Sequence, residues 1–146
     1  ALFHDSGFMV GYHDHELLGI QVANDILPKF GYDQEQIKII GDLIYATRMP
    51  HNPKNKLEQL ICDADLDYLG RSDYLPVSSN LYNELLEMNL IKKNEYEWNK
   101  MQMKFLQNHR FFTESAKQRR NHNKNKQLEK IIEQDFKFSK ENENNT

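Results

Sequence analysis

The 146-residue chain has one cysteine, Cys62, so no disulfide can form within it and its fold must rest on packing, as in a reducing, cytoplasmic compartment. No apolar run approaches the roughly 20 residues needed to cross a bilayer, which argues against a helical membrane span. Basic charge is not in excess either. A formal net charge of -3 and a pI near 6.1 exclude a protein whose main work is neutralising phosphates along a nucleic acid. Sustained apolar/polar alternation, the mark of half-buried strands, is missing, as is the basic, then apolar pattern of a signal peptide.

Apolar residues recur instead at helical spacing almost everywhere, which predicts an all-α chain. The first residues, to about Asp5, read as the last turn of a helix ended by Gly7. A second helix is expected from Asp14, a candidate N-cap, with Leu18, Val22, Ile26 and Phe30 on one face until Pro28 and Gly31 end it. Asp33-x-x-Gln36 is a capping-box pattern announcing a third, which carries Ile37, Ile40, Ile44 and Thr47. Pro50 and Pro53 force a loop. Asn55-x-x-Glu58 then opens a fourth helix, with a stripe of Leu57, Leu60, Ile61 and Ala64, running to Gly70. Further helices are predicted from Ser72 (Leu75, Leu81, Leu85, Met88), from Asn94 (Trp98, Met101, Phe105, Leu106) and from Thr113 (Leu128, Ile131, Ile132, Phe136). The final KENENNT is too polar to pack, which gives one domain over 1–138 and a disordered tail over 139–146.

Three clusters could carry chemistry. "ALFHDSGF" sets an imidazole beside a carboxylate, His4 and Asp5. Neighbours on a regular helix point about 100° apart, so both reach one metal ion only where the helix ends, as Gly7 suggests. On its own the pair reads better as a helix-end His beside an N-cap Asp. The balance shifts with "CDADLDYLG", where carboxylates sit on a helix with an apolar stripe. Asp65 and Asp67 flank that stripe and Asp63 points further out, either behind a ligand or into solvent; geometry leaves Asp65 and Asp67 tied. The third cluster, "YHDHELLG", brings His13, His15 and Glu16 to a helix start. There they hold an anion or a second metal, or the histidines are simply solvated. Cys62 reads as a small buried hydrophobe, and the basic run from Lys117 to Lys126, with Arg119, Arg120, His122 and Lys124, as a solvated face. His109 and Thr113 read as parts of a helix turn.

In this order, "ALFHDSGF", "HELLG", "LIYAT" and "LICDADLDYLG" resemble the HD-domain superfamily of metal-dependent phosphohydrolases, in particular the subgroup of predicted metal-dependent HD hydrolases, over roughly residues 1–75. "FLQNHRFFTESAKQRR" is similar to the C-terminal helices of that subgroup. The resemblance implies a helical bundle of about six to seven helices. It also implies one or two divalent ions (Mn, Fe, Mg, Zn, Co or Ni), held by a His from an early helix, the HD pair and a later Asp. His4 and Asp5 match the pair. Asp65 matches the later Asp, with Asp63 behind it, and this breaks the tie with Asp67. His15 and Glu16 match a stretch that lines the pocket in relatives, and Thr47 falls where some relatives place another metal-binding His. The early His would precede Ala1, so the resemblance implies an N-terminally incomplete domain. The acidic pair that follows the HD motif in bacterial alarmone hydrolases is absent; Phe8 and Met9 stand in its place.

The activity so implied is hydrolysis of a phosphate ester, on a nucleotide or another small phosphorylated metabolite. His4, Asp5 and Asp65 would hold the ion, Asp5 would serve as general base beside His15 and Glu16, and Arg71 and Thr47 would meet the substrate. The alternative is a non-catalytic HD module that binds a nucleotide or a partner protein; an HD-type di-iron oxygenase is a third reading. Neither a membrane nor a nucleic acid is an expected partner, and the sequence is compatible with a homo-oligomer.

Overall fold

The computed structural model describes residues 2–143, with side chains described as far as Phe136. The chain is all-α, with six α-helices and no strand among the described residues. These are α1 (His15–Ile26), α2 (Gln34–Ala46), α3 (Lys56–Asp65), α4 (Tyr74–Glu87), α5 (Glu95–Asn108) and α6 (Glu114–Glu143). None of the described helices is long and apolar enough to cross a membrane. The sequence predicts one domain over 1–138; the contacts divide the chain into two compact units, one ending at Asp65 and the other beginning at Leu66.

In the first unit, Ala23, Leu27, Ile37 and Ile44 form the buried cluster, with Phe3, Ile20 and Ile40 packed against it. The opening residues form turns followed by a 3-10 helix at Ser6–Met9, not the end of an α-helix. Gly7 is required here by closeness: a Cβ on it would lie 1.7 Å from the carbonyl oxygen of His15 and 2.8 Å from the nitrogen of Gly19. The segment carrying His4 and Asp5 is thereby pressed backbone to backbone against α1.

The buried face of α1 is not the predicted one. Its buried positions are Glu16, Gly19 and Ala23, followed by Leu27, whereas Phe30 is 74% exposed. Small residues win because they let neighbouring backbone come close, which a stripe of large side chains prevents. Asp14 precedes the helix as expected but does not cap it with its side chain; it sits at φ 53° and its carboxylate accepts from Arg48 Nη2 at 2.6 Å.

Local capping is where the expectations hold best. Asp33 and Gln36 form the full capping box of α2, with bonds of 2.8 and 3.0 Å. At α3, Glu58 N–H donates to Asn55 Oδ1 at 3.0 Å, while the Glu58 carboxylate accepts from Asn55 Nδ2 and from Lys54 N–H. The predicted stripe of α3 is a correction: Leu57 and Leu60 are exposed, and the buried positions are Glu58, Ile61, Cys62 and Asp63. Cys62 is fully buried, and its thiol donates to the Ala46 carbonyl at 3.1 Å, which ties α3 to the end of α2.

The second unit has its own core of Leu66, Leu69, Tyr74, Leu106, Phe111 and Ile131. A 3-10 turn at Asp67–Gly70 lies against α6, so closely that a Cβ on Gly70 would be 2.5 Å from the Arg120 carbonyl oxygen. Asn94 caps α5 by accepting from Glu97 N–H, and Thr113 Oγ1 accepts from Ala116 N–H at the start of α6, both as predicted. The basic run of α6 is not uniformly solvated. Lys124 is only 4% exposed, and its Nζ donates to the carbonyls of His109 (2.6 Å) and Leu106 (3.3 Å), where α5 ends. A cation at a helix C-terminus satisfies carbonyls that have no partner within the helix. No break marks residue 139, since α6 runs on through Glu143; the remainder of the expected tail, 144–146, lies outside the described residues.

Candidate functional site

Within the first unit, the HD pair, the start of α1, the loop after α2 and the end of α3 bring their polar side chains together. His4 Nε2 lies 3.1 Å from Asp5 Oδ2 and 3.2 Å from Asp65 Oδ1. The other oxygen of Asp65 is 3.4 Å from His51 Nε2. His15 Nε2 lies 3.5 Å from Glu16 Oε1 and 3.9 Å from Asp5 Oδ1. Asp65 is thus gripped from both sides by imidazoles, and Asp5 lies between two.

Each side chain is held by local structure. Gly7 brings the HD segment onto α1, and Phe8, one residue on, stacks its ring on His15 with centroids 3.9 Å apart. Glu16 is buried beside that imidazole. Asp65 is the last residue of α3, where the helix ends and its carboxylate can turn toward the HD pair. Burial would raise the Asp65 carboxyl, but hydrogen bonds and charge from His4 and His51 outweigh it and hold the group below the usual carboxylate range.

His51 is the residue that the sequence reading missed. Its side chain is 5% exposed, and Nε2 lies 3.1 Å from the Thr47 carbonyl as well as near Asp65. It follows Pro50 in a loop that reads simply as a break between helices, and nothing in its spacing from Asp65 marks it. Thr47, one turn earlier, is buried; its hydroxyl donates to Ile44 O at 2.8 Å and its carbonyl meets His51, so it ends α2 and steadies that imidazole. Of the two places open to Asp63, behind a ligand or in solvent, solvent is ruled out: it is 5% exposed, because the buried face of α3 runs through Glu58 and Cys62. Asp67 and Arg71 belong to the second unit. Asp67 accepts from Arg120, and the Arg71 guanidinium is paired with Asp73. His13 is exposed, with its ring edge against Tyr12.

The chain matches no family model, no curated protein and no solved structure.

What the cluster can do follows from its own donors. Imidazole nitrogens and carboxylate oxygens are the ligands that borderline and hard divalent ions prefer. Two donors held about 2.1 Å from one ion at right angles stand about 3.0 Å apart. The separations of 3.1 and 3.2 Å around His4 are therefore those of neighbouring ligands as well as of hydrogen bonds. As the side chains stand, no group of three or more His, Cys, Asp or Glu among the described residues is arranged around one point. The donor types are those an ion takes, the spacing suits single pairs only, and the side chains engage one another directly.

Proposed function

We propose that this chain is a metal-dependent phosphohydrolase of the HD type, acting on a phosphate ester of a nucleotide or a small phosphorylated metabolite. One observation carries the reading: His4, Asp5 and Asp65, the residues that match the motif, come together in the fold and are joined by a second imidazole, His51. Carboxylates and imidazoles of one unit that cluster in this way are the usual signature of a site and not of a packing core.

His4, Asp5, His51 and Asp65 are the residues that would hold the divalent ion, with Glu16 and Asp63 as buried carboxylates near them in the chain. Such an ion, when bound, lowers the pKa of a coordinated water and polarises the phosphoryl oxygen. Asp5, with a side chain 57% exposed, is the one carboxylate of the set that opens to solvent, which supports it as the group that would take a proton from an attacking water. His15, stacked on Phe8 and set beside Glu16, faces Asp5 and can carry the proton onward or offset phosphate charge.

The test is phosphate release from a panel of nucleotides and sugar phosphates, with manganese, iron, cobalt, nickel, zinc or magnesium supplied, for the chain and for Asp5→Ala. Turnover that Asp5→Ala abolishes supports the proposal, and equal turnover in both removes it. That no three donors surround one point among the described residues favours a second reading, a module that binds a nucleotide or a partner protein without cleaving a substrate. Saturable nucleotide binding with no phosphate release under any of the metals decides for that reading.

A further inference from the structure

In the second unit, α4, α5 and α6 line an open cavity of about 280 Å³ that none of the chemistry above uses. Its lining is unlike that of the HD cluster. Ser78, Ser79, Asn99 and Gln102 supply uncharged polar groups, Tyr82 and Trp98 supply rings, Glu95 is the one charged lining residue, and among the described residues no lysine or arginine takes part.

The polar groups are ordered among themselves. Gln102, 7% exposed, uses its carbonyl oxygen to accept from the Tyr74 hydroxyl at 2.6 Å and from the Ser78 hydroxyl at 3.1 Å. Burial pushes the Tyr74 phenol well above its usual range, so it remains a donor throughout the neutral range. With its oxygen held by two donors, the Gln102 amide is fixed in orientation, and among the described residues its nitrogen meets no protein acceptor. That nitrogen is not sealed from solvent, so it is free to donate to an acceptor that enters the cavity. Beside it, Tyr82 and Trp98 pack with ring centroids 5.2 Å apart, inclined by 39°, and form an aromatic wall.

We propose that this cavity binds an uncharged nucleobase or nucleoside, whose ring lies against Tyr82 and Trp98 and whose ring carbonyl or nitrogen accepts from the Gln102 amide. Among the described residues the lining carries a carboxylate, Glu95, and no cation, which selects against a phosphorylated ligand at this place, since a buried phosphate demands cations. The volume lies at the lower edge of small-molecule sites and suits one ring system with a sugar, not a dinucleotide. Amide edges and hydroxyls match the donors and acceptors along a base edge. The inference rests on the second unit alone and stands or falls apart from the phosphohydrolase reading.

Trp98 is the only tryptophan of the chain, so its emission reports on the cavity directly. Adenosine, guanosine, cytidine, uridine, ribose and glucose would each be titrated against the full chain, with tryptophan emission and saturation-transfer NMR of the ligand as readouts. The expected result is a saturable change with at least one nucleoside and none with ribose or glucose. Gln102→Glu keeps the acceptor for Tyr74 and Ser78 but removes the donor, and should weaken binding about tenfold or more. Asn99→Ala, at the cavity edge, provides a milder variant and should weaken binding several-fold with an unchanged circular dichroism spectrum. No saturable response to any nucleoside, a response to glucose alone, or full affinity in both folded variants would each overturn the proposal.

Discussion

Arg120 donates to both oxygens of Asp67, from Nε at 2.6 Å and from Nη2 at 2.9 Å. This two-pronged pair occupies the carboxylate that helical geometry alone could not separate from Asp65, and it gives Asp67 a task in holding its 3-10 turn against α6. Asp65, two residues earlier, is left to face His4 and His51.

The two aspartates should therefore fail differently. Asp65→Ala should lower manganese or iron content, measured by elemental analysis of the purified chain, by at least about tenfold, and His51→Ala should do so to a smaller extent. Asp67→Ala should leave metal content unchanged and cost about 1 kcal/mol in urea unfolding, the usual scale of a partly exposed ion pair. A loss of metal in Asp67→Ala with full retention in Asp65→Ala would reverse the assignment.

Gly7 and Gly31 offer a contrast between space and backbone conformation. Gly7→Ala places a methyl 1.7 Å from the His15 carbonyl oxygen, and since both sides of that contact are backbone, the expected loss is about 2 kcal/mol or more. Gly31 has φ +82° with open space around it, so Gly31→Ala should cost only about 1 kcal/mol. Denaturant midpoints of the two variants, compared with the parent, give the order directly.

Cys62 is predicted to be inert. Burial pushes its thiol up to about 11, with the charges of Asp65, Asp63 and Glu58 acting in the same direction. At neutral pH the thiolate is then roughly 100-fold scarcer than for an ordinary cysteine. Alkylation by iodoacetamide should be slow at neutral pH and accelerate about tenfold per pH unit toward that value. Rapid labelling of the native chain at pH 7 would show that the thiol is not held as described.

Lys124 carries a pH dependence with a definite sign. Burial, followed by the charge of Arg110, lowers its pKa, so in the window below the usual lysine value of about 10.4 the unfolded chain binds more protons than the folded one. Stability contributed by this residue therefore rises as pH increases through that window. The difference in thermal midpoint between the parent and Lys124→Met, followed from pH 8 to pH 10, should move in favour of the parent; a flat or opposite trend contradicts the assignment.

The parts of the fold that the sequence by itself determined are those governed by residues three or four apart. The capping box of Asp33 and Gln36, the pairing of Asn55 with Glu58, and the caps at Asn94 and Thr113 need only a short side chain and a nearby N–H, and all four are where the pattern predicts. The contact of His4 with Asp65 was also legible, because an ordered set of motifs carries information that no single dipeptide does. Which face of α1 and of α3 is buried was decided only in three dimensions. Gly19 and Ala23 take the inner positions of α1, and Glu58, Cys62 and Asp63 those of α3, because burial depends on what approaches from outside the helix and not on the hydrophobicity of the helix itself. His51, Lys124 and the Asp67–Arg120 pair belong to the same class: each acts through a partner distant in sequence, and long-range juxtaposition leaves no periodic trace in the chain.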